Sequence, residues 1–464
     1  MRRHIGIRHR VKRTTKNEAR PTMMAILDEH GVRDFKLETE TEEKDFLLGV
    51  LPIAWQGASP LDQVGACPVH HCKWRKLKKD ENPEQFPSHH LRHEGKDVFL
   101  LTKVPSAYEG YREGDMVGMV LGGSGDRFAY ALSRRGEAIG ASVYRITPFA
   151  LMALRQARGL TKAEKDIDHT LLAELVMFEN HHFQLVTPRE RELIALRQFF
   201  DERMDAMRER VKCDVRLARR MVGQVFLNPE GFYPEGRIED LTDEKKASDV
   251  ILQGMAKEEA ARDRELAKAV AELEVYQRLF DDVEGVGPRI AAGIIAGIGD
   301  VRRFPTSAKL KAFCGVHVQR GGKYANVPPE HAFPRKRSGE ASHWNEALVR
   351  QSLLRFGENF YLRPKSFWGQ KFSYYKQTFR ERHPEVVCKQ CGVPWAECQT
   401  QSMHSRAYND GHITRMAMWR TLTKFVEWLW KAWWELEVEH GATKPPRKAN
   451  HPKDREHDCE QGGE

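Results

Sequence analysis

The chain has 464 residues, enough for about three domains of the usual size. Lys and Arg number 75 against 66 Asp and Glu, a net charge of +9, which suits nucleic-acid binding without the excess of a histone. Hydrophobic residues at 40% and aromatics at 9% exclude a largely disordered chain. Charged residues at 30%, a mean hydropathy of −0.62 and the lack of any apolar run of about 18 residues exclude a membrane-spanning one. The N-terminal stretch MRRHIGIRHRVKR is basic with no apolar segment behind it, so a cytoplasmic protein is expected. Eight Cys are too few for a disulfide scaffold, and three of them, Cys388, Cys391 and Cys398, crowd together as metal ligands do.

In chain order, His4-Ile5-Gly6-Ile7, Met23 to Leu27 and the segment ending Phe46-Leu47-Leu48 predict a small sheet. Residues 57–97, with Gly, Pro, Cys67, His70, His71, Cys72, His89, His90 and His93, read as an insertion before a strand at Val98 to Val104. From Asp115 the pattern is strand, Gly-rich turn (Gly122-Gly123-Ser124-Gly125), helix, strand (Ala141 to Ile146) and helix, the signature of an α/β layer with parallel strands. Acidic residues Glu164, Asp166 and Asp168 precede a helical run from Leu171 to Phe178.

Residues 188–225 and 243–282 predict two long helices with apolar seams, Leu196, Phe200, Met204, Met207, Val211 and Leu266, Val270, Leu273, Phe280. They form either an intramolecular hairpin or a coiled-coil dimerisation arm. The tryptophans near the C-terminus, Trp419, Trp428, Trp430, Trp433 and Trp434, fit a core better than base-stacking platforms. A polar tail over 440–464 predicts disorder.

Five constellations could carry chemistry. Gly285-Val286-Gly287-Pro288 ahead of a helix with small residues fits a helix-hairpin-helix, whose turn offers backbone N–H groups and a helix N-terminus to a phosphate, with Arg289 beside it; an αα-corner is the plain alternative. Cys388-x2-Cys391-x6-Cys398-x5-His404 offers four ligands to one tetrahedral Zn²⁺, with His412 competing for the fourth place. Cys67, His70, His71 and Cys72, with the later histidines, suggest a second metal site of looser spacing. Ser338 lies among Arg335, Lys336 and Arg337, cations able to hold a scissile phosphate; Ser342 is the neighbour in reserve. Glu164, Asp166 and Asp168 are either Mg²⁺ ligands or a solvated helix N-terminus.

The run from Val283-Glu284-Gly285-Val286-Gly287-Pro288 through Gly299-Asp300-Val301-Arg302-Arg303-Phe304 to Cys314-Gly315-Val316 resembles the insertion-sequence transposases of the IS-one-ten class (IS116/IS110/IS902 type). The resemblance implies an RNase H-like, RuvC-type N-terminal domain with four metal-binding acids. It also implies a C-terminal domain with a serine nucleophile, and cleavage and rejoining of DNA, guided in some members by a structured RNA. The chain departs from that pattern. Ile5-Gly6-Ile7-Arg8 stands where the first strand would end in Asp, and Met119-Val120-Leu121-Gly122-Gly123 where a Glu is expected. Asp168 matches the second of the late acids, while the first falls near Lys165, between Glu164 and Asp166. Matching Pro334-Arg335 to the family selects Ser338; matching Gly321-Gly322 instead puts Gln319 or Arg320 in its place.

The expected fold is therefore α/β plus all-α. It comprises an RNase H-like domain at 1–187 with a Cys/His insertion at 57–97, long paired helices at 188–282, a helix-hairpin-helix domain at 283–375 and a zinc knuckle with a Trp-rich helix at 376–439. The expected function is a DNA transposase using Ser338, with Mg²⁺ at Glu164, Asp166 and Asp168 and structural Zn²⁺. Its partners would be DNA, a structured guide RNA and a second copy through the long helices, with no membrane and with nucleoid association when DNA is bound. The rival is a catalytically degenerate nucleic-acid-binding protein of the same fold; a repair-type nuclease is a weaker third.

Overall fold

The computed structural model describes residues 2–14, 16–59, 68–160, 167–319, 333 and 346–443. Of the residues singled out above, Cys67, Glu164, Asp166, Arg335, Lys336, Arg337 and Ser338 lie outside them, as do Gly321, Gly322 and Ser342 and the tail from 444. The chain divides into two compact units, Met1–Pro188 and Arg189–Glu464.

In the first unit β1 (His4–Arg8), β2 (Thr22–Asp28) and β3 (Gly31–Leu37) form an antiparallel meander, followed by α1 (Glu40–Leu48). A capping box between Thr39 and Glu42 starts α1, and Gly49 in the left-handed region ends it. Four strands, β4 (Leu51–Gly57), β5 (Lys73–Lys76), β6 (Leu91–Glu94) and β7 (Asp97–Glu109), then make a separate antiparallel sheet in which β4, β5 and β6 all pair with β7. The expected insertion thus carries two strands of its own, whose polar residues hid them.

The chain returns with β8 (Met116–Val120), α2 (Asp126–Ile139), β9 (Ser142–Ile146), α3 (Pro148–Ala157), α4 (Asp168–Phe178) and β10 (Phe183–Leu185). β8 lies parallel to β1 and β9 parallel to β8, giving a six-stranded sheet of order β10-β9-β8-β1-β2-β3. Ile5 and Ile7 point to one face of β1, where they join Met24, Ile26, Val117 and Met119 beneath Phe46 of α1 and Leu132 of α2. On the other face α4 approaches so closely that a Cβ on Gly6 would come within 1.9 Å of the His169 carbonyl oxygen, so only glycine fits.

Among its described residues the second unit is helical, apart from one small strand pair. α5 (Pro188–Phe226) is followed by α6 (Ile238–Ser248), α7 (Val250–Ala271) and α8 (Glu274–Leu279). The second expected helix is thus broken at Asp249, whose side chain caps α7 through Leu252 N at 2.9 Å, and again at Leu273. α5 and α6–α7 run antiparallel, tied by Arg203 to Asp263 (2.8 Å) and Lys246 to Asp214 (3.0 Å). Beyond them come α9 (Pro288–Ile298), α10 (Ser307–Phe313), α11 (Gln351–Leu362), α12 (Phe367–Arg382), the strand pair β11 (Val387–Cys388) and β12 (Arg406–Ala407), and α13 (Asp410–Glu439).

One core runs through the segments 188–282, 283–375 and 376–439: Leu196 and Phe200 of α5, Val270 of α7, Ile294 of α9, Phe356 of α11, Trp368 of α12 and Phe425 and Trp433 of α13 belong to the same cluster. Trp430 and Trp434 donate their indole N–H groups to the Phe304 carbonyl. Trp433 and Trp434 are buried in this core, and Trp419, Trp428 and Trp430 are partly buried against it. Among the described residues no helix is long and apolar enough to cross a membrane.

Candidate nucleic-acid and metal sites

The turn between α8 and α9 holds Gly285 and Gly287. Gly285 has φ +93°, a conformation that favours glycine, and its carbonyl accepts the Asn359 side-chain N–H at 2.8 Å, which fixes the turn against α11. Gly287 is the N-cap of α9 and brings no side chain to its N–H groups, and Pro288 follows in the first turn. The first turn of α9 is therefore left without a side-chain cap, as an anion-binding turn requires. Arg289 is exposed, but its guanidinium is held by Asp263 of α7 (Nε to Oδ1 3.1 Å), which also takes Arg203. A phosphate approaching this turn would compete with Asp263 for Arg289.

The neighbouring cations of the same run are structural. Arg302 is buried and bound to Asp300 (2.6 Å) and Glu190 (3.1 Å), with Glu437 at 3.8 Å; burial opposes its charge, and these carboxylates more than restore it. Arg303 donates to the Ile298 carbonyl and lies over the Phe304 and Phe313 rings. Lys311 is lowered by burial and faces Glu427 at 3.6 Å. These three residues are engaged within the fold and do not form a phosphate-binding face.

Of the expected acids, Asp168 alone is described. It sits at the start of α4 with no solvent exposure. Arg155 of α3 contacts its Oδ1 through Nε (3.1 Å) and Nη2, and Arg8 at the end of β1 brings Nε to 3.5 Å from Oδ2. Arg8 is the residue that stands where the resemblance puts an Asp. The stretch Met119-Val120-Leu121-Gly122-Gly123, at and just after the end of β8, adds no carboxylate. A divalent cation needs free carboxylate oxygens, and two guanidinium groups supply opposing charge instead. The described surroundings of Asp168 do not fit Mg²⁺. Sequence reasoning missed Arg155, although a cation replacing an acid beside a surviving Asp was a readable sign of an ion pair.

The cysteine cluster is assembled by a tight turn after β11. Gly392 takes φ +77° and donates its N–H to the Cys388 carbonyl (2.9 Å), while Cys388 donates to Val393 (2.8 Å). His404 Nδ1 lies 3.4, 3.2 and 3.5 Å from the sulfurs of Cys388, Cys391 and Cys398. All four donor atoms lie within 4.8 Å of one another. A tetrahedral zinc with bonds of about 2.3 Å to sulfur and about 2.0 Å to nitrogen separates S and N by about 3.5 Å, so the spacing fits. Burial raises the Cys388 thiol, but backbone N–H groups of Cys391 and Gln390 outweigh it and bring it down, while the neighbouring Cys388 and Cys398 sulfurs push the Cys391 thiol up. His412 is not part of the cluster: its Nδ1 accepts the Tyr408 N–H at 3.1 Å and its ring stacks on Tyr408.

Residues 277–320 match the family model described as "Transposase IS116/IS110/IS902 family". No curated protein matches the chain. The matched segment takes in the last half of α8, the Gly285–Gly287 turn, α9 and α10, and ends before Ser338; it includes the turn and none of the expected catalytic residues.

Proposed function

We propose that the chain is a DNA-binding protein of the insertion-sequence transposase class that grips the sugar–phosphate backbone at the turn before α9. The observation that carries the reading is that the matched segment 277–320 folds into two helices around Gly285 and Gly287, with the α9 N-terminus uncapped by any side chain. This is the arrangement expected of a helix-hairpin-helix. The first unit supports the same reading: the strand order β3-β2-β1-β8-β9, antiparallel then parallel, with helices on both faces, is that expected of an RNase H-like domain. Zn²⁺ at Cys388, Cys391, Cys398 and His404 would hold the knuckle in shape.

In the strand-transfer reading the Ser338 hydroxyl attacks a DNA phosphorus, the Ser338 O–P bond forms as the bond to the departing strand oxygen breaks, and Arg335, Lys336 and Arg337 balance the developing charge. The hydroxyl proton passes to solvent. A structured guide RNA would select the site in this reading. The Arg8–Asp168–Arg155 cluster favours a second one: binding of DNA or structured RNA without strand cleavage.

Incubation of the full chain with DNA bearing the ends of its element and the flanking transcript, followed by denaturing electrophoresis, separates the two. A covalent adduct lost in Ser338→Ala, with DNA binding retained, establishes the serine mechanism. Salt-sensitive binding without an adduct establishes the second reading.

A further inference from the structure

Asp45 of α1 and the pair His70 and His71, which form a helical turn ahead of β5, converge on one point. His71 Nε2 lies 2.8 Å and His70 Nε2 3.0 Å from the same oxygen, Asp45 Oδ2. The Asp45 and His71 side chains are 4% and 2% exposed, whereas His70 is 46% exposed and opens the group to solvent. The His71 ring is set in place independently: its backbone carbonyl accepts the Trp55 indole N–H at 2.9 Å, and Tyr108 lies against it with ring centroids 6.0 Å apart. The exposed Lys44 ammonium lies 3.8 Å from the second Asp45 oxygen.

Bonds of about 2.0–2.1 Å to one ion place donors about 2.8–3.4 Å apart, from right-angle to tetrahedral geometry, so both separations fit one coordination sphere. The sheet that carries the histidines gives a second, separate reason for an ion. Among the described residues its own core cluster consists of three buried residues, Cys72, Leu101 and Val104, with Ala58 and Trp74 at the margin. So small a core does not hold a four-stranded module by itself, and small modules make up the deficit with metals or disulfides.

We infer that Asp45, His70 and His71 form a site for a divalent transition-metal ion of the zinc class, which staples the β4–β7 sheet to α1. Two imidazoles and one carboxylate give a borderline, nitrogen-rich donor set that prefers such ions to Mg²⁺ or Ca²⁺, and the exposed side at His70 is both entry path and open coordination position. The ligand set differs from the one that spacing suggested: it recruits a carboxylate from 25 residues upstream of His70.

The test uses the full chain, stripped of metal with a chelator and titrated with Co²⁺. About two ions should bind per chain, one with thiolate charge-transfer absorption from the cysteine cluster and one without it. His70→Ala and Asp45→Asn should each lose only the ion without thiolate absorption. In hydrogen exchange, added Zn²⁺ should slow residues 69–76 in the wild type and leave them unchanged in His70→Ala. Because the His70 ring is half exposed, that variant keeps the fold even if Asp45→Asn does not. Equal metal stoichiometry in wild type and His70→Ala, or protection confined to the cysteine cluster, overturns the site.

Discussion

At the scale of single residues, the sign of charge at position 8 decides what Asp168 does. With Arg8 and Arg155 on either side, the carboxylate is shared between two cations beneath α4. Removing one partner of a buried ion cluster leaves the others uncompensated, so Asp168→Ala should cost about 3–5 kcal/mol. Urea unfolding checks this, and a loss under about 1 kcal/mol would reduce the cluster to the worth of a surface pair. Glu43 shows the same logic with a pH readout. Burial raises its carboxyl, but hydrogen bonds from His9, Lys12 and Thr22 outweigh it and hold it at about 2 against an ordinary 4.5. A depressed carboxyl contributes its full stability above 4.5 and loses it as pH falls toward 2, about 3 kcal/mol in all. Glu43→Gln should flatten the stability profile across that window and leave it parallel to the wild type above it.

At the scale of elements, the cysteine knuckle is held by its ligands more than by packing: between β11 and β12, only Cys388, Cys398 and Ala407 are buried. Removing zinc with a chelator, or Cys391→Ser, should open residues 387–407 to proteolysis while α13, anchored in the core by Phe425 and Trp433, stays protected. These elements differ in how plainly the sequence announced them. β1, β8 and β9 were readable because burial forces alternation, and the cysteine ligands because a metal forces short spacing. β5 and β6 were not, since they pair with β7 through polar, half-exposed residues such as Arg75 and Arg92. The break at Asp249 was written as an N-cap, but the continuing helical pattern masked it. Arg302 reads as a surface cation because its partners Glu190 and Glu437 are more than a hundred residues away on either side, and the link between Asp45 and His71 was hidden by distance in the same way.

At the scale of the whole molecule, α5 outlasts the core it enters. Its first half buries Leu196, Phe200 and Met204, whereas Val211, Val215 and Val222 remain more than 40% exposed at spacings close to a heptad seam. We expect this stripe to pair with a second copy. Val215→Glu with Val222→Glu should then convert a dimer to a monomer in sedimentation velocity without changing thermal stability, and an unchanged mass would remove the stripe from the interface. The buried charges at the other end of α5 have a consequence for synthesis. Arg189 is gripped by Glu437 (2.9 Å), and Arg302 has Glu437 within 3.8 Å, so the helix that opens this unit is closed by a side chain two residues from the end of α13. On the ribosome the unit cannot complete its core until nearly all of it has emerged. A copy truncated before Glu437 leaves two guanidinium groups short of a carboxylate and should be cleaved by protease faster than the full chain.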